Sequence, residues 1–397
     1  MASQLTWLDH DAAARDRSLR ILALFKEKES RDELGIGGVR DAIADRLFPG
    51  TSTIQTRLRY MLIVPWMYRG LEKKEVPAKD FAAQARRAET DMILPLLDAE
   101  EEGVFGRRAK GGLKRLPSSV YWLGLRQWGI RRFDGAQGDY HQNAYKLYAR
   151  QVQMKKTEDD DFHPDPAAET WHPRLPKAPV GFPNTLDFKL TRKEGEFLLD
   201  RISANCKDSL LAWLSLHGKP DACGEPWLHH QLDNFPQPMK NLLRHARLFS
   251  DTVEGAARLY NLCLAEQRGD DGLRQEHAEA LEDWRGRLDW PLLDAWSLDE
   301  LWGETDGPGH AISPITKDFV EHWVGRMRAM RGKVENDAAA RELVRQREIR
   351  LKGARSRFNN PGALQQWSGR AGIARLVYRW PTARGFLRDL YLALDRK

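Results

Sequence analysis

The sequence predicts a mainly α, multi-helical fold: an N-terminal region with a helix-turn-helix, compatible with a winged arrangement, followed by a C-terminal helical domain. Three observations predict it. Apolar residues recur three and four positions apart through most of the chain. Capping residues and Pro/Gly breaks punctuate those stretches at helix-like intervals. Fourteen tryptophans suit the seams between packed helices, where a large ring buries area and its N–H finds a partner.

Residues 5–28 read as a first helical region with Leu19, Leu22 and Phe25 on an apolar side. The stretch Arg31–Trp66 is the one around which the chain is organised. Ile36, Val39, Ile43 and Leu47 share one helical face, Pro49-Gly50 breaks the helix, and Thr51 or Ser52 is a suitable N-cap for a second helix carrying Ile54, Leu58, Met61 and Leu62. Residues 36–63 therefore have the outline of a helix-turn-helix. Gln55, Thr56, Arg57 and Arg59 lie outside the second apolar stripe and are the candidate groove contacts. The plain alternative is an αα-hairpin in a helical core. Pro65 is expected to interrupt the second helix, and a further helix is expected from about Asp80 to Leu97.

Between Gly103 and Phe133 the chain has eight Lys/Arg and no Asp or Glu. A Gly-Gly pair inside it reads as the turn of a β-wing or a basic loop. Arg107, Arg108, Lys110, Lys114 and Arg115 are the candidate phosphate contacts. Pro117 opens another helix, and residues 137–154 another. Residues 155–185, acidic and then Pro-rich, read as a linker or extended arm. The expected domains are thus 1–154 and 186–397.

In the second of these, Thr191 with Glu194 is a capping box that starts a helix near Arg192. Leu210, Leu211 and Leu214 mark the next helix. Residues 235–266 and 273–293 read as helical, with a short turn at Leu298–Trp302. Ile315–Met330 and Glu335–Lys352 are basic amphipathic helices, and residues 362–394 a compact helical cap.

Charge is clustered. Residues 103–133 carry +8, 326–357 carry +7 and 358–397 carry +5, so the rest of a chain of net +6 carries −14. Clustering of this kind points to a polyanionic partner. Arg341, Arg345, Arg347 and Arg350 form a second candidate phosphate or partner face.

No motif carries chemistry strongly: the chain has no Walker loop, no GxSxG and no HExxH. His217, Cys223, His229 and His230 are close in sequence but match no usual zinc-ligand pair. Asp159, Asp160, Asp161, His163 and Asp165 read as a solvated acidic run, with a divalent-cation nuclease centre as the sharper alternative. Asp32 and Glu33 read as a helix cap or as ion-pair partners of Arg57 or Arg59. The expectation is no catalytic residue, no metal and no cofactor. Three scattered cysteines fit a reducing cytoplasm. Neither a signal peptide nor a membrane-spanning run is read.

A set of motifs spans most of the chain: Trp7-Leu8-Asp9, Arg31 to Gly37 (RDELGIG), Phe48 to Arg57 (FPGTSTIQTR), Arg59-Tyr60, Val64-Pro65-Trp66, Leu116 to Trp122 (LPSSVYW) and Tyr378-Arg379-Trp380. This set resembles a bacterial and archaeal family of full-length proteins known only as an uncharacterised domain. Its members are often encoded beside helicases and phospholipase-D-like nucleases in phage-defence islands. The resemblance implies a role in antiviral defence and carries no catalytic residue onto this chain.

The leading expectation is a cytoplasmic, non-catalytic subunit of a multi-protein defence system that binds nucleic acid, duplex DNA in particular. The alternatives are a helical scaffold docking a helicase or nuclease, and a cryptic metal-dependent nuclease.

Overall fold

The structure is a computed structural model that describes residues 32–99, 102–107, 113, 115–144, 146, 170–307 and 309–396. Among the described residues it is mainly helical, with isolated bridges (Arg131 with Trp171, Gly307 with His310) in place of strands. In chain order the helices are α1 Gly37–Leu47, α2 Tyr60–Lys73, α3 Ala78–Asp91, α4 Ile93–Asp98 and α5 Pro117–Gln127. After helical residues 137–144 come α6 Arg192–Asn205, α7 Leu210–His217, α8 Gln237–Arg268, α9 Asp271–Gly286 and α10 Trp290–Asp294. The last five are α11 Leu298–Thr305, α12 Pro314–Ala329, α13 Ala338–Lys352, α14 Pro361–Gln365 and α15 Trp380–Ala393. No helix among the described residues is long and apolar enough to cross a membrane.

The mainly α expectation holds, and the capping box starts α6 where the sequence places it. Glu194 N donates to Thr191 Oγ1, and Thr191 N donates back to Glu194 Oε2 at 2.8 Å. The region expected to be one helix over 80–97 is two, α3 and α4, and 273–293 is likewise divided into α9 and α10. Residues 5–28, the rest of 137–154 and the whole acidic run, Asp159, Asp160, Asp161, His163 and Asp165, lie outside the described residues.

The opening motif departs most from expectation. No helix starts at Thr51; residues 51–59 form turns, and α2 begins at Tyr60. Thr51 does not cap, because its hydroxyl donates to the Phe48 carbonyl and closes the Pro49-Gly50 turn instead. Gln55 seals the same turn. Its Oε1 accepts from Ser52 N at 2.9 Å, and its Nε2 donates to the Gly50 carbonyl at 3.3 Å. A short helix-turn-helix connection is therefore replaced by the long one at 48–59. Nor does Pro65 end α2. The helix runs through it, because Tyr60 to Tyr68 are all buried and packing outweighs the one backbone bond a proline lacks.

The described chain divides into two compact units. One joins residues 32–44 to Pro236–Tyr378, and the other joins Asp45–Phe235 to the segment from Arg379. The expected break at 155–185 is not where they divide: residues 170–185 belong to the second unit, where Trp171 and Leu175 are buried.

The first unit is built on α8. At 32 residues it spans roughly 48 Å. It ends on Gly269, whose φ of +71° supplies the left-handed C-terminal stop. Indoles dock along it. Trp284 of α9 donates to the Asp251 carbonyl at 2.7 Å, and Trp323 of α12 to the Thr252 carbonyl at 2.8 Å. Trp367 donates to Asn261 Oδ1 at 3.1 Å. Asp32 caps α1, accepting from Ile36 N and Gly37 N. Glu33 pairs with Lys352 and Arg357.

In the second unit α2 packs against α3 and α5, and α6, α7 and α15 pack together. The Pro49-Gly50 turn fits onto α5. Trp128 Nε1 donates to the Pro49 carbonyl at 2.9 Å, and Gly124 lies so close to the Gly50 carbonyl that a Cβ there would collide with it.

Candidate nucleic-acid interface

The basic stretch begins where two of the expected groove residues hold it. Thr56 Oγ1 donates to the Gly103 carbonyl at 2.7 Å, and Arg57 Nη1 donates to the Glu102 carbonyl at 3.2 Å. Gly103 lies at φ +86° with a Cβ position against Arg57, so a side chain there would be both strained and crowded. Two residues on, Phe105 N donates to Tyr60 OH, and the Phe105 ring meets Tyr60 edge-on at 5.2 Å. The rest of Arg57 is engaged by Asp389, at 3.0 and 3.2 Å, with its guanidinium 4.8 Å over Phe188.

The far end of the stretch is held by α3. Arg86 Nη2 donates to the Leu113 carbonyl at 3.1 Å. One turn along α3, Glu89 grips the start of α5: its carboxylate accepts from Ser118 N at 2.7 Å and from Ser118 Oγ at 2.6 Å. These bonds bring exposed Arg86, with exposed Arg87 next to it in α3, to Leu113 of the stretch that also bears exposed Arg107 and Arg115. Sequence reading missed Arg86 and Arg87. They are visible as an Arg-Arg pair on a helix face, but only a contact to residue 113 attaches them to the basic stretch.

The structure redistributes the other expected contacts. Gln55 and Arg59 are buried, 5% and 4% exposed, and neither presents a group to a groove. Arg59 is paired with Asp187 and with Glu194 at 2.9 Å. Arg108, Lys110 and Lys114, with the Gly-Gly pair of the expected wing, lie outside the described residues. Arg131 is buried, donating to the Phe133 and Gly135 carbonyls and stacking 4.3 Å over Trp122.

On the first unit, the basic 326–357 face is largely neutralised by neighbours. Arg326 pairs with Asp337, Arg331 with Asp294 and Arg341 with Glu266. Arg347 is internal. Its three nitrogens donate to the carbonyls of Leu34, Gly35 and Ile315 and to Thr316 Oγ1. Of the four arginines expected there, Arg345 and Arg350 are exposed, Arg345 with its guanidinium 5.7 Å over Phe358.

A family model described as "Family of unknown function (DUF6361)" matches residues 2–393. The chain belongs to that family. No curated protein and no solved structure matches it.

This DUF6361 member also holds a buried polar network behind the basic surface that the sequence does not announce. Gln137 Nε2 donates to Ser118 Oγ at 2.6 Å and to Tyr68 OH at 2.7 Å, and Tyr68 OH bonds His141 Nε2 at 2.8 Å. Burial raises the Glu89 carboxyl to about 7, against the Ser118 bonds, and lowers His141 to about 4. Its residues are far apart in sequence, so no spacing signals them. Ser118 is fully buried, and its hydroxyl is committed to Glu89. The network's role is to fix α3 against α5 and so to position Arg86 beside residue 113.

The raised Glu89 pKa gives a pH prediction. A carboxyl favoured in its neutral form by folding contributes fully below its ordinary value of 4.5. That contribution is lost as pH rises through about 7. Glu89→Gln is neutral throughout. Wild-type stability should therefore fall relative to E89Q by on the order of 3 kcal/mol between pH 4.5 and 7, measured by urea unfolding across that range. His141 titrates in both proteins and drops out of the difference. A pH-independent difference would contradict the assignment.

Proposed function

We propose that this protein is a non-catalytic nucleic-acid-binding subunit of a multi-protein antiviral defence system, with duplex DNA as its ligand. It contacts the phosphate backbone through the basic surface of its second unit. The observation that carries this reading is the Arg86 bond to the Leu113 carbonyl, which joins exposed Arg86 to the basic stretch that also bears exposed Arg107 and Arg115. The composition of residues 103–133, eight Lys/Arg with no Asp or Glu, supports it. The defence role and a helicase or phospholipase-D-like nuclease as neighbours in the assembly rest on the resemblance in the motifs.

Backbone contact of this kind carries little sequence preference and releases counterions. Fluorescence anisotropy with labelled duplexes of unrelated sequence tests it. The expected result is binding at low salt to all of them with similar affinity, falling steeply as salt is added. Absence of binding at low salt, or affinity indifferent to salt, would overturn the reading.

A further inference from the structure

We propose that Asp221, His229 and His230 form a binding site for a zinc ion. They lie between α7 and α8, where the regular structure consists of two 3₁₀ turns, Pro226–Leu228 and Leu232–Asn234. One ligand atom from each residue lies within 4.8 Å of those of the other two. Asp221 Oδ2 is 2.6 Å from His230 Nδ1 and 3.7 Å from His229 Nδ1. Zinc holds N and O ligands at about 2.0–2.2 Å, so ligands in a tetrahedral shell stand about 3.3 Å apart, within that spread. Two imidazoles and a carboxylate are a donor set that zinc takes readily. Of the four residues the sequence brought close, His229 and His230 belong to the set; Asp221 joins them, and His217 and Cys223 are left out of it.

The Asp221 carboxylate is held in place by the backbone N–H groups of Cys223, at 2.7 Å, and His230, at 2.8 Å. The His229 ring is fixed between Phe235, at 5.4 Å, and Trp380, at 6.0 Å, and it stacks on His230 with centroids 4.8 Å apart. An imidazole lone pair lies in the ring plane, so of the two stacked rings the half-exposed His230 is the one that turns to bring its nitrogen onto the ion. His230 is half exposed, at 49%, which leaves the fourth coordination position to water.

The ion takes the place of the hydrogen bond between His230 Nδ1 and Asp221 Oδ2, and the ring N–H is then carried on Nε2. Gln231 N, which donates to His229 Nδ1 at 3.1 Å, is released to water. Zinc would staple the Gly218–Phe235 segment, which has little regular structure to hold it.

The test uses the full chain without a histidine tag, stripped of metal and then titrated with Zn²⁺ by calorimetry, with metal content measured after gel filtration. One zinc per chain and a raised Tm are expected. His230→Ala, at an exposed position, should keep the helical circular dichroism of the wild type and lose the zinc. His322→Ala, an exposed histidine of the other unit, should keep it. No zinc on the wild type, or equal zinc on H230A, would overturn the proposal.

Discussion

Replacing Arg59 by alanine costs about 3–5 kcal/mol of stability, seen as a lower urea midpoint by tryptophan fluorescence. The guanidinium is 5% exposed, pairs with an equally buried Glu194 and with Asp187, and lies 5.6 Å from the Trp66 ring. Truncation leaves the Glu194 carboxylate in the interior with the Thr191 amide as its remaining donor. An uncompensated buried charge, rather than the lost attraction, is what makes the change large. Removing both charges separates the two terms. Arg59→Met with Glu194→Leu should recover all but about 1 kcal/mol, the loss belonging to the capping box at the start of α6. A cost for R59A below about 1 kcal/mol, the range of an exposed pair, would contradict the placement of this arginine. Folded R59A should bind duplex as the wild type does.

The second large effect is on binding. Arg86, Arg87, Arg107 and Arg115 are exposed, so changing all four to glutamine should leave the helices intact, while also removing the Arg86 bond to the Leu113 carbonyl. It should weaken duplex binding at moderate salt about 10³-fold, because four phosphate contacts and their released counterions are lost together. Arg345→Gln with Arg350→Gln on α13 is the comparison for the first unit. Its effect should be smaller, since two cations are removed in place of four.

What the sequence made legible was local. The α6 capping box, the helical character of nearly every segment and the Asp32 cap are encoded within a few residues of where they act. The indole N–H groups found partners as their burial requires. What it hid depends on residues far apart in the chain. Thr51 is as good a cap in sequence as Thr191, yet its hydroxyl closes a turn because Trp128 and Gly124 hold Pro49 and Gly50 in place. Arg57, Arg59 and Arg347 read as surface cations, because their partners Asp389, Glu194 and the Leu34 carbonyl lie far off in the chain. Net charge over a window counts lysines and arginines but not their neutralisation, so the +7 face at 326–357 looked more available than it is. The window at 103–133 has no acids of its own, yet Arg126 pairs with Asp134 just beyond it and Arg131 is buried, while the contact to Leu113 joins Arg86 to it.

The most direct test of backbone binding by this surface is the salt dependence of duplex affinity, measured for the wild type and for the R86Q/R87Q/R107Q/R115Q protein. Each phosphate contact contributes about 0.9 to the slope of log K against log salt, so the slope should be shallower in the variant by about 3.6. Equal slopes for the two proteins would contradict it.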